Sequence, residues 1–432
     1  MDNDRARFFA EERWTGGVIG LGYVGLPLAV TMVQNGLRAI GFDRSARRVE
    51  MLKSGVSPVE DVSDEELAAA LEAGLEITAD ESDLSRSDAI FICVPSPLGR
   101  NREPDLSYIK SAAATVENVV KPGMLVSLES TTYPGTTEDI IVPAVTNRGL
   151  IPDEDVFVAF SPERVSPGAE MKTGDIPKVV GGITPVSTEV AAAAYSRVVA
   201  AVHPVSSART AEMAKLLENT YRAVNIGLIN EMAQLAHELD ISIWEVVDAA
   251  ATKPFGFQAF YPGPGVGGHC IPLDPQFLAW RAKEANFATR FIDLAEQVNT
   301  KMPEYTASRV ADLLNRMGQP VFGTKVLGVG IAYKPDVADD RESASIEVLK
   351  DLQRRGAEIS VLDPVVGKER IESHGFVAVG ADEPLTDFAV AVLLTDHADL
   401  DLDKIATEVP AVFDARGAYR RTGPQPANVE SL

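Results

Sequence analysis

Residues 263–275 read Gly-Pro-Gly-Val-Gly-Gly-His-Cys-Ile-Pro-Leu-Asp-Pro, and Cys270 is one of only two cysteines in a chain of 432 residues. A thiolate is a strong nucleophile, and the glycines let a substrate come close to the backbone. Asp274, four positions on, can orient a water or handle protons. The same string also reads as an ordinary Gly/Pro turn that happens to hold a cysteine.

A second pattern narrows the choice. Gly20, Gly22 and Gly25 form G-x-G-x-x-G between an apolar run ending at Ile19 and another that starts at Leu26. Glycines at this spacing permit a tight turn, close approach of a pyrophosphate and close helix–strand packing, and a helix N-terminus then faces the phosphates. Asp43 lies 18 positions after the last glycine, where a carboxylate accepts from a ribose 2′-hydroxyl. Arg44, Arg47 and Arg48 follow and could hold a 2′-phosphate, but Asp43 would repel it, so the expected cofactor is NAD rather than NADP.

Three further groups have usable chemistry. Lys215 and Asn219 are four apart in a helical stretch and share a face, with Arg222 one turn beyond. Near a cysteine, such a lysine and amide stabilise a developing oxyanion; left in water they are a solvated polar face. The strings LESTTYPG (128–135) and FSPERV (160–165) follow apolar runs, so Thr132 could hold a water and Glu163 accept a proton. Ser-Pro and Pro-Gly pairs are also plain turn punctuation. Tyr333-Lys334, with Arg341 ahead of a helix, offers two cations to a pyrophosphate, or else surface ion pairs.

The elements that must position these groups fall into three blocks. Apolar runs at 17–21, 37–42, 89–94, 124–128, 156–160 and 178–182 read as buried strands alternating with helices. Residues 208–239 contain no proline and one glycine, so they predict one long helix, started by Ser206 or Ser207. Helices are expected at 243–251, 275–284 and 289–314, with the cysteine loop inserted among them. From Gly323 the α/β pattern resumes, with strands at 325–329, 357–362, 388–394 and 411–413 and a helix at 343–355. Asp363, Asp396 and Asp414 stand at strand ends, where ligands of open α/β sheets collect. The fold class is therefore α/β: two doubly wound Rossmann-like domains, 1–206 and 321–432, joined by a central all-helical domain, 207–320. The long helix is expected to act as spine and dimer face. Residues 1–14 are expected to be a short disordered or loosely docked lead-in, and 422–432 a tail.

Composition limits the function classes. A net charge of −23 argues against nucleic-acid and anionic-membrane partners. Two widely separated cysteines make no disulfide framework, so a reducing, cytoplasmic setting is expected. No apolar run reaches the ~18–20 residues that span a bilayer, and the first residues lack the apolar core of a signal peptide. No metal site is expected.

Taken in order, GLGYVGLPLA, CVPSP, STTYPGTT, SPER, AKLLENTYRAVNIGLINE, GVGGHCIPLDP and AYKPDVADDRES resemble the nucleotide-sugar 6-dehydrogenases of the UDP-glucose/UDP-mannuronate type, from Gly17 to about Gly417. The resemblance implies an N-terminal NAD domain, a helical dimer core and a C-terminal UDP-binding domain. It also implies oxidation of a sugar 6-hydroxyl to a carboxylate with two NAD. On this basis Cys270 traps the aldehyde as a thiohemiacetal that becomes a thioester. Lys215 and Asn219 stabilise oxyanions, and Asp274, Thr132 and Glu163 position water or move protons. The implied cofactor set is Gly20, Gly22, Tyr23, Val24, Gly25, Asp43, Arg48, Ser96, Thr132 and Arg341. The implied substrate set is Glu163, Arg164, Val165, Lys215, Asn219, Arg222, Tyr261, Gly267, Tyr333 and Lys334. Arg164 in SPERVSPG, together with KPFGF ahead of YPGPG, resembles the branch acting on UDP-N-acetylhexosamines. UDP-N-acetylglucosamine comes first, with UDP-N-acetylmannosamine and UDP-glucose as alternatives. Such an enzyme serves polysaccharide biosynthesis and works as a homodimer or larger assembly. A two-electron β-hydroxyacid-type dehydrogenase is the rival from another class, since it shares the NAD domain and a lysine but needs no cysteine. A non-catalytic dinucleotide sensor would need none of Cys270, Lys215 and Asp274.

Overall fold

The computed structural model describes residues 4–59, 61–99, 103–164, 173–268 and 270–432. Two compact units divide the chain, residues 1–218 with 276–287 and residues 219–275 with 288–432. Two of the boundaries, after 218 and after 275, fall inside helices of the central block, and the third, after 287, falls in the link between two helices.

The first unit carries an eight-stranded sheet. Its strands are β1 (Thr15–Ile19), β2 (Arg38–Phe42), β3 (Leu75–Thr78), β4 (Ala89–Ile92), β5 (Met124–Leu128), β6 (Val156–Phe160), β7 (Lys178–Gly182) and β8 (Val202–Pro204). Their order is β3-β2-β1-β4-β5-β6-β7-β8, parallel except where β7 runs antiparallel to β6. Strands β4, β5 and β6 are buried at every position, as parallel strands covered on both faces must be. The expected strands are all present, and β3 and β8 are additions.

The N-terminal lead-in is a correction. Residues Asp4–Glu11 form helix α1, and Phe9 and Trp14 are fully buried. Trp14 Nε1 donates to Phe9 O at 3.0 Å, and an edge-to-face series runs Phe9–Trp14 at 5.4 Å and Phe91–Tyr195 at 5.4 Å. Two large rings buried in full are worth roughly 1.5–3 kcal/mol each, more than enough to dock a helix of eight residues.

The second unit carries a six-stranded parallel sheet in the order β11-β10-β9-β12-β13-β14. The strands are β9 (Lys325–Val329), β10 (Glu358–Leu362), β11 (Val377–Ala378), β12 (Val390–Leu393), β13 (Val412–Asp414) and β14 (Val429–Ser431). This repeats the order of the first six strands of the other sheet. The expected tail instead supplies β14, and its last residue, Leu432, is buried. Val429 and Leu432 are the apolar residues that polar composition concealed.

The long helix exists as α2 (Ala208–Glu238), and Ser207 Oγ caps it by accepting from Thr210 N at 3.1 Å. Helix α3 (Cys270–Glu284) starts at the cysteine itself rather than at Pro275. Helix α4 (Arg290–Arg316) completes the block.

Asp363 and Asp414 are not free ligand positions. Asp363 Oδ2 accepts from Ile331 N at 2.7 Å and Ala332 N at 3.3 Å, while Oδ1 accepts from Val365 N and Val366 N, each at 2.8 Å. His397 Nε2 lies 3.3 Å from Oδ2, and neither side chain is exposed. Burial alone would raise this carboxyl, but the His397 and backbone donors outweigh it and hold it below its ordinary value. Asp414 likewise accepts from Arg416 N at 2.9 Å and Tyr419 N at 3.0 Å.

Because the folded-state value of Asp363 is depressed, its ionisation stabilises the fold above the ordinary carboxylate range and is lost as pH falls through the folded value. Asp363→Asn should lower the Tm of the second unit by at least about 3 °C at pH 7, and the gap to the wild type should close as the pH drops below about 4. Thermal unfolding followed by circular dichroism at several pH values measures it; an unchanged Tm at pH 7 would mean the clamp carries no stability.

Candidate active site

The first unit builds a dinucleotide cradle. Gly20 closes the turn after β1 with φ +93°, a conformation that only glycine adopts without strain. A Cβ on Gly25 would lie 1.9 Å from Gly20 O, so the helix Gly25–Gln34 packs against the turn too closely for any side chain. A Cβ on Gly22 would meet nothing within 4 Å. That open space sits at a helix N-terminus with no side-chain cap, where the helix dipole favours an anion although Leu26 N already donates to Gly22 O at 3.1 Å. Asp43, at the end of β2, is buried; Oδ2 accepts from Leu21 N at 3.0 Å and from Arg48 Nη1 at 3.2 Å, and Oδ1 accepts from Ser45 N at 2.9 Å. The cradle fits a dinucleotide, with Gly22 open for the pyrophosphate and Asp43 set beside the turn. Tyr23 is exposed, Val24 half-buried and Ser96 buried.

The same unit places Glu163 and Arg164 just past β6. Glu163 Oε1 accepts from Arg164 N at 2.7 Å, and Oε2 lies 3.5 Å from Lys178 Nζ. The Arg164 guanidinium pairs with Glu218 of α2 at 2.8 Å and donates to Pro177 O at 2.9 Å. Lys215, one turn earlier on α2, is only 9% exposed, which removes the solvated-face alternative for it. Val165 lies outside the described residues.

Thr132 departs from its expected part. It is 1% exposed, and its Oγ1 donates to Thr136 Oγ1 at 2.5 Å. Thr136 in turn donates to Tyr133 O at 2.8 Å. The hydroxyl therefore closes a turn rather than facing a water. Glu212, buried on α2, holds the next turn by accepting from Gly135 N at 2.5 Å and Thr137 N at 2.9 Å.

The second unit builds the cysteine loop. Cys270 is exposed at the first position of α3, where the positive end of the helix dipole favours negative charge. One turn on, Asp274 is 2% exposed and accepts from Asn219 Nδ2. The loop is anchored at its start, because Gly263 N donates to Asn230 Oδ1 at 3.1 Å and Asn230 Nδ2 donates to Asn299 Oδ1 at 2.9 Å. Its glycines are required by crowding. A Cβ on Gly267 would lie 2.8 Å from Tyr333 Cβ, and one on Gly268 2.8 Å from Tyr333 Cε2. Tyr333 is thus packed on the loop.

Other expected residues are placed less directly. Arg341 is paired with Asp339, Nη2 to Oδ2 at 2.5 Å. Lys334 is half-buried, and Arg222 is exposed on the helix surface. Tyr261 stacks on Trp244 at 5.9 Å and donates to Asp248 at 2.8 Å, so its hydroxyl is committed there. Sequence reasoning passed over Arg416, which donates from Nε to Leu394 O at 2.6 Å and brings Nη1 to 2.9 Å from where a Gly263 Cβ would sit. Burial pushes its guanidinium below its ordinary value. Its position just after a strand-end aspartate was the available signal. Among the described residues no cluster of metal-ligating side chains occurs, and no helix is long and apolar enough to cross a membrane.

Known proteins resemble this chain over most of its length. The chain matches the NAD binding domain of the UDP-glucose/GDP-mannose dehydrogenase family over residues 16–199, its central domain over 209–301 and its UDP binding domain over 327–421. It is 35% identical over 367 residues to the UDP-N-acetyl-D-glucosamine 6-dehydrogenase of Pseudomonas aeruginosa, covering 84% of this chain and 86% of that one. It is 34% identical over 417 residues to an NDP-N-acetyl-D-galactosaminuronic acid dehydrogenase of Ralstonia nicotianae, covering 93% and 95%. The solved structure of UDP-D-ManNAc dehydrogenase from Pyrococcus horikoshii superposes with a TM-score of 0.86 at 30% identity, covering 97% and 99%. The chain belongs to the UDP-glucose/GDP-mannose dehydrogenase family and is an NAD-dependent oxidoreductase.

The glycines of the cradle separate cofactor space from packing. Gly22→Ala should leave the Tm within about 2 °C of wild type yet weaken NAD at least ~10-fold, because its methyl occupies the pyrophosphate's approach. Gly25→Ala should destabilise the unit itself. Differential scanning fluorimetry and NAD titration test both, and unaltered NAD affinity in G22A would place the pyrophosphate elsewhere.

Proposed function

We propose that this member of the family oxidises the 6-hydroxyl of a UDP-N-acetylhexosamine to the carboxylate, with UDP-N-acetylglucosamine as the best candidate. The observation that carries this reading is the exposed Cys270 at the start of α3, one turn from a buried Asp274 already bonded to Asn219. A two-electron β-hydroxyacid-type dehydrogenase has no use for that cysteine.

NAD, which the Gly20–Gly25 turn and Asp43 would hold, would supply the hydride acceptor for C6 in each of the two oxidations. The residues of this chain do the rest. Glu163 accepts the proton of the 6-hydroxyl as the aldehyde forms. The Cys270 sulfur adds to the aldehyde carbon, giving a thiohemiacetal whose oxygen is stabilised by the Lys215 ammonium and the Asn219 amide. Loss of the second hydride leaves a thioester. Asp274 orients a water that hydrolyses it, releasing the carboxylate and restoring the thiol. In sum, alcohol, two NAD and one water give acid, two NADH and protons. Thr132 supports this chemistry through the turn it closes.

Arg164 is proposed to read the acetamido group. A guanidinium has five N–H donors; contacts to Glu218 and Pro177 O engage Nε, Nη2 and Nη1. Those contacts leave donors for an acetamido carbonyl and fix the direction in which they point. Tyr333, Lys334 and Gly267 belong to the segment proposed to meet the nucleotide. The exposed apolar stripe Met213, Leu217, Tyr221, Leu228 and Leu235 on α2 fits a second copy of the chain, consistent with a homodimer in the cytoplasm.

Cys270→Ala should cut acid formation more than tenfold, a loss above ~1.4 kcal/mol, while NAD binding stays near wild type; product analysis by mass spectrometry decides this, and retained acid formation would end covalent catalysis. With wild-type protein, UDP-N-acetylglucosamine should yield two NADH per sugar and surpass UDP-N-acetylmannosamine and UDP-glucose. Arg164→Phe should lower kcat/KM for the N-acetylated sugar at least ~10-fold, the worth of one charge-assisted hydrogen bond, and harm UDP-glucose less. A wild-type preference for UDP-glucose would refute the branch, and a yield of one NADH the four-electron reaction.

A further inference from the structure

Beneath Glu163 lies a buried charge cluster that the reaction as described does not use. Glu129 follows β5, Glu163 follows β6, and Lys178 opens β7, so three strand ends bring one ammonium to two carboxylates. Lys178 is 3% exposed and Glu129 1%. The Lys178 ammonium pairs directly with Glu129 and lies 3.5 Å from Glu163 Oε2. Tyr195 OH donates to Glu129 Oε1 at 2.7 Å, so the 2.8 Å contact between Tyr195 OH and Ser127 Oγ takes its hydrogen from the serine. Lys178 Nζ also sits 5.3 Å from the centre of the Tyr195 ring.

The two carboxylates differ in access. Glu129 is sealed among Lys178, Tyr195 and Ser127, and its side chain has no exposure. The Glu163 side chain is 14% exposed and carries the only carboxylate of the pair that a substrate can reach. Burial by itself would lower the Lys178 ammonium; Glu129 and Glu163 outweigh it and hold it charged. The nearby Cys93 thiol is pushed up by burial and by Glu129, so it contributes no charge. A buried ion pair is weak support for stability, because apolar replacements are often as stable. An ammonium kept here calls for another role.

We propose that Lys178 is a positioning residue for the oxidation, aiming the Glu163 carboxylate for proton abstraction. Its ammonium has three donors; one goes to Glu129, which fixes where the ammonium sits, and its charge lies 3.5 Å from Glu163 Oε2 as an ion pair rather than a hydrogen bond. The Arg164 N–H on Oε1 supplies the second constraint, a hydrogen bond at one oxygen beside the Lys178 charge at the other. This rests on the reading of Glu163 as proton acceptor.

The test compares kcat and KM for UDP-N-acetylglucosamine, or whichever UDP-sugar the wild type oxidises fastest, in Lys178→Met, Lys178→Arg, Glu129→Gln/Lys178→Met, Glu163→Gln and Glu163→Gln/Lys178→Met. Lys178→Met should lower kcat at least ~10-fold, part of the usual worth of a general base, with KM and NAD affinity within about threefold. Lys178→Arg should recover most of kcat. The Glu129→Gln/Lys178→Met pair removes both buried charges together, so it should fold even if the single variant does not, and it should stay slow. In the Glu163→Gln background, Lys178→Met should cost nothing further. Recovery of wild-type kcat in Glu129→Gln/Lys178→Met would overturn the proposal, because Lys178 would then serve only to neutralise Glu129. Multiplying losses in Glu163→Gln/Lys178→Met would overturn it too, leaving Glu163 as acceptor. Wild-type kcat in Glu163→Gln alone would instead refute the proton-acceptor reading on which the proposal stands.

Discussion

A carboxylate at the end of the second strand ties down the first strand–helix turn in both sheets. In the first unit Asp43 accepts from Leu21 N; in the second Asp363 accepts from Ile331 N and Ala332 N. Each turn contains a glycine with positive φ, Gly20 or Gly330, and would otherwise leave backbone donors buried without partners. The clamp sets where the turn ends and hence where the following helix starts. In the first unit this leaves Gly22 facing open space. In the second it holds the segment that begins Ile331-Ala332-Tyr333, and Tyr333 packs against Gly267 and Gly268. Cofactor cradle and cysteine loop thus depend on the same kind of bond.

The cysteine loop is held by polar and steric contacts of equal consequence. Asn230 and Asn299 are both buried and satisfy each other and Gly263, so the loop is fixed at its first residue without an apolar anchor. Such a network is stable only when every member is paired. At the other end, α3 begins at Cys270, and Asp274 meets Asn219 one turn later. The thiol therefore stands on a helix whose first turn is bonded to α2, which is more rigid than a thiol on a free loop.

Much of this was legible in the chain. Glycine spacing and the acid 18 residues on predicted the cradle, since glycine takes φ +93° without strain and leaves out the Cβ that would lie 1.9 Å from Gly20 O. Apolar runs predicted the strands of the inner sheets, because parallel strands are buried on both faces. Short or edge strands such as β3, β8, β11 and β14 were missed; they have few residues and mixed burial, so periodicity does not separate them from loops. Residues 4–14 were misjudged because their charged residues outnumber the two rings that dock them. Thr132 and Tyr261 were chosen by type, and hydrogen bonds to Thr136 and Asp248 claim their hydroxyls.

The sequence by itself determined which chemistry is available: a cysteine among glycines, a lysine and an amide on one helix face, a phosphate turn and a discriminating acid. These are local properties, set by residue type and by spacing along one element. Only the tertiary structure decided which charges stand together. Lys178, Glu129 and Glu163 lie on three different strand ends, and Arg164 meets Glu218 across 54 positions of chain. Such pairings depend on strand order and on the exclusion of water, and neither leaves a periodic trace in the sequence.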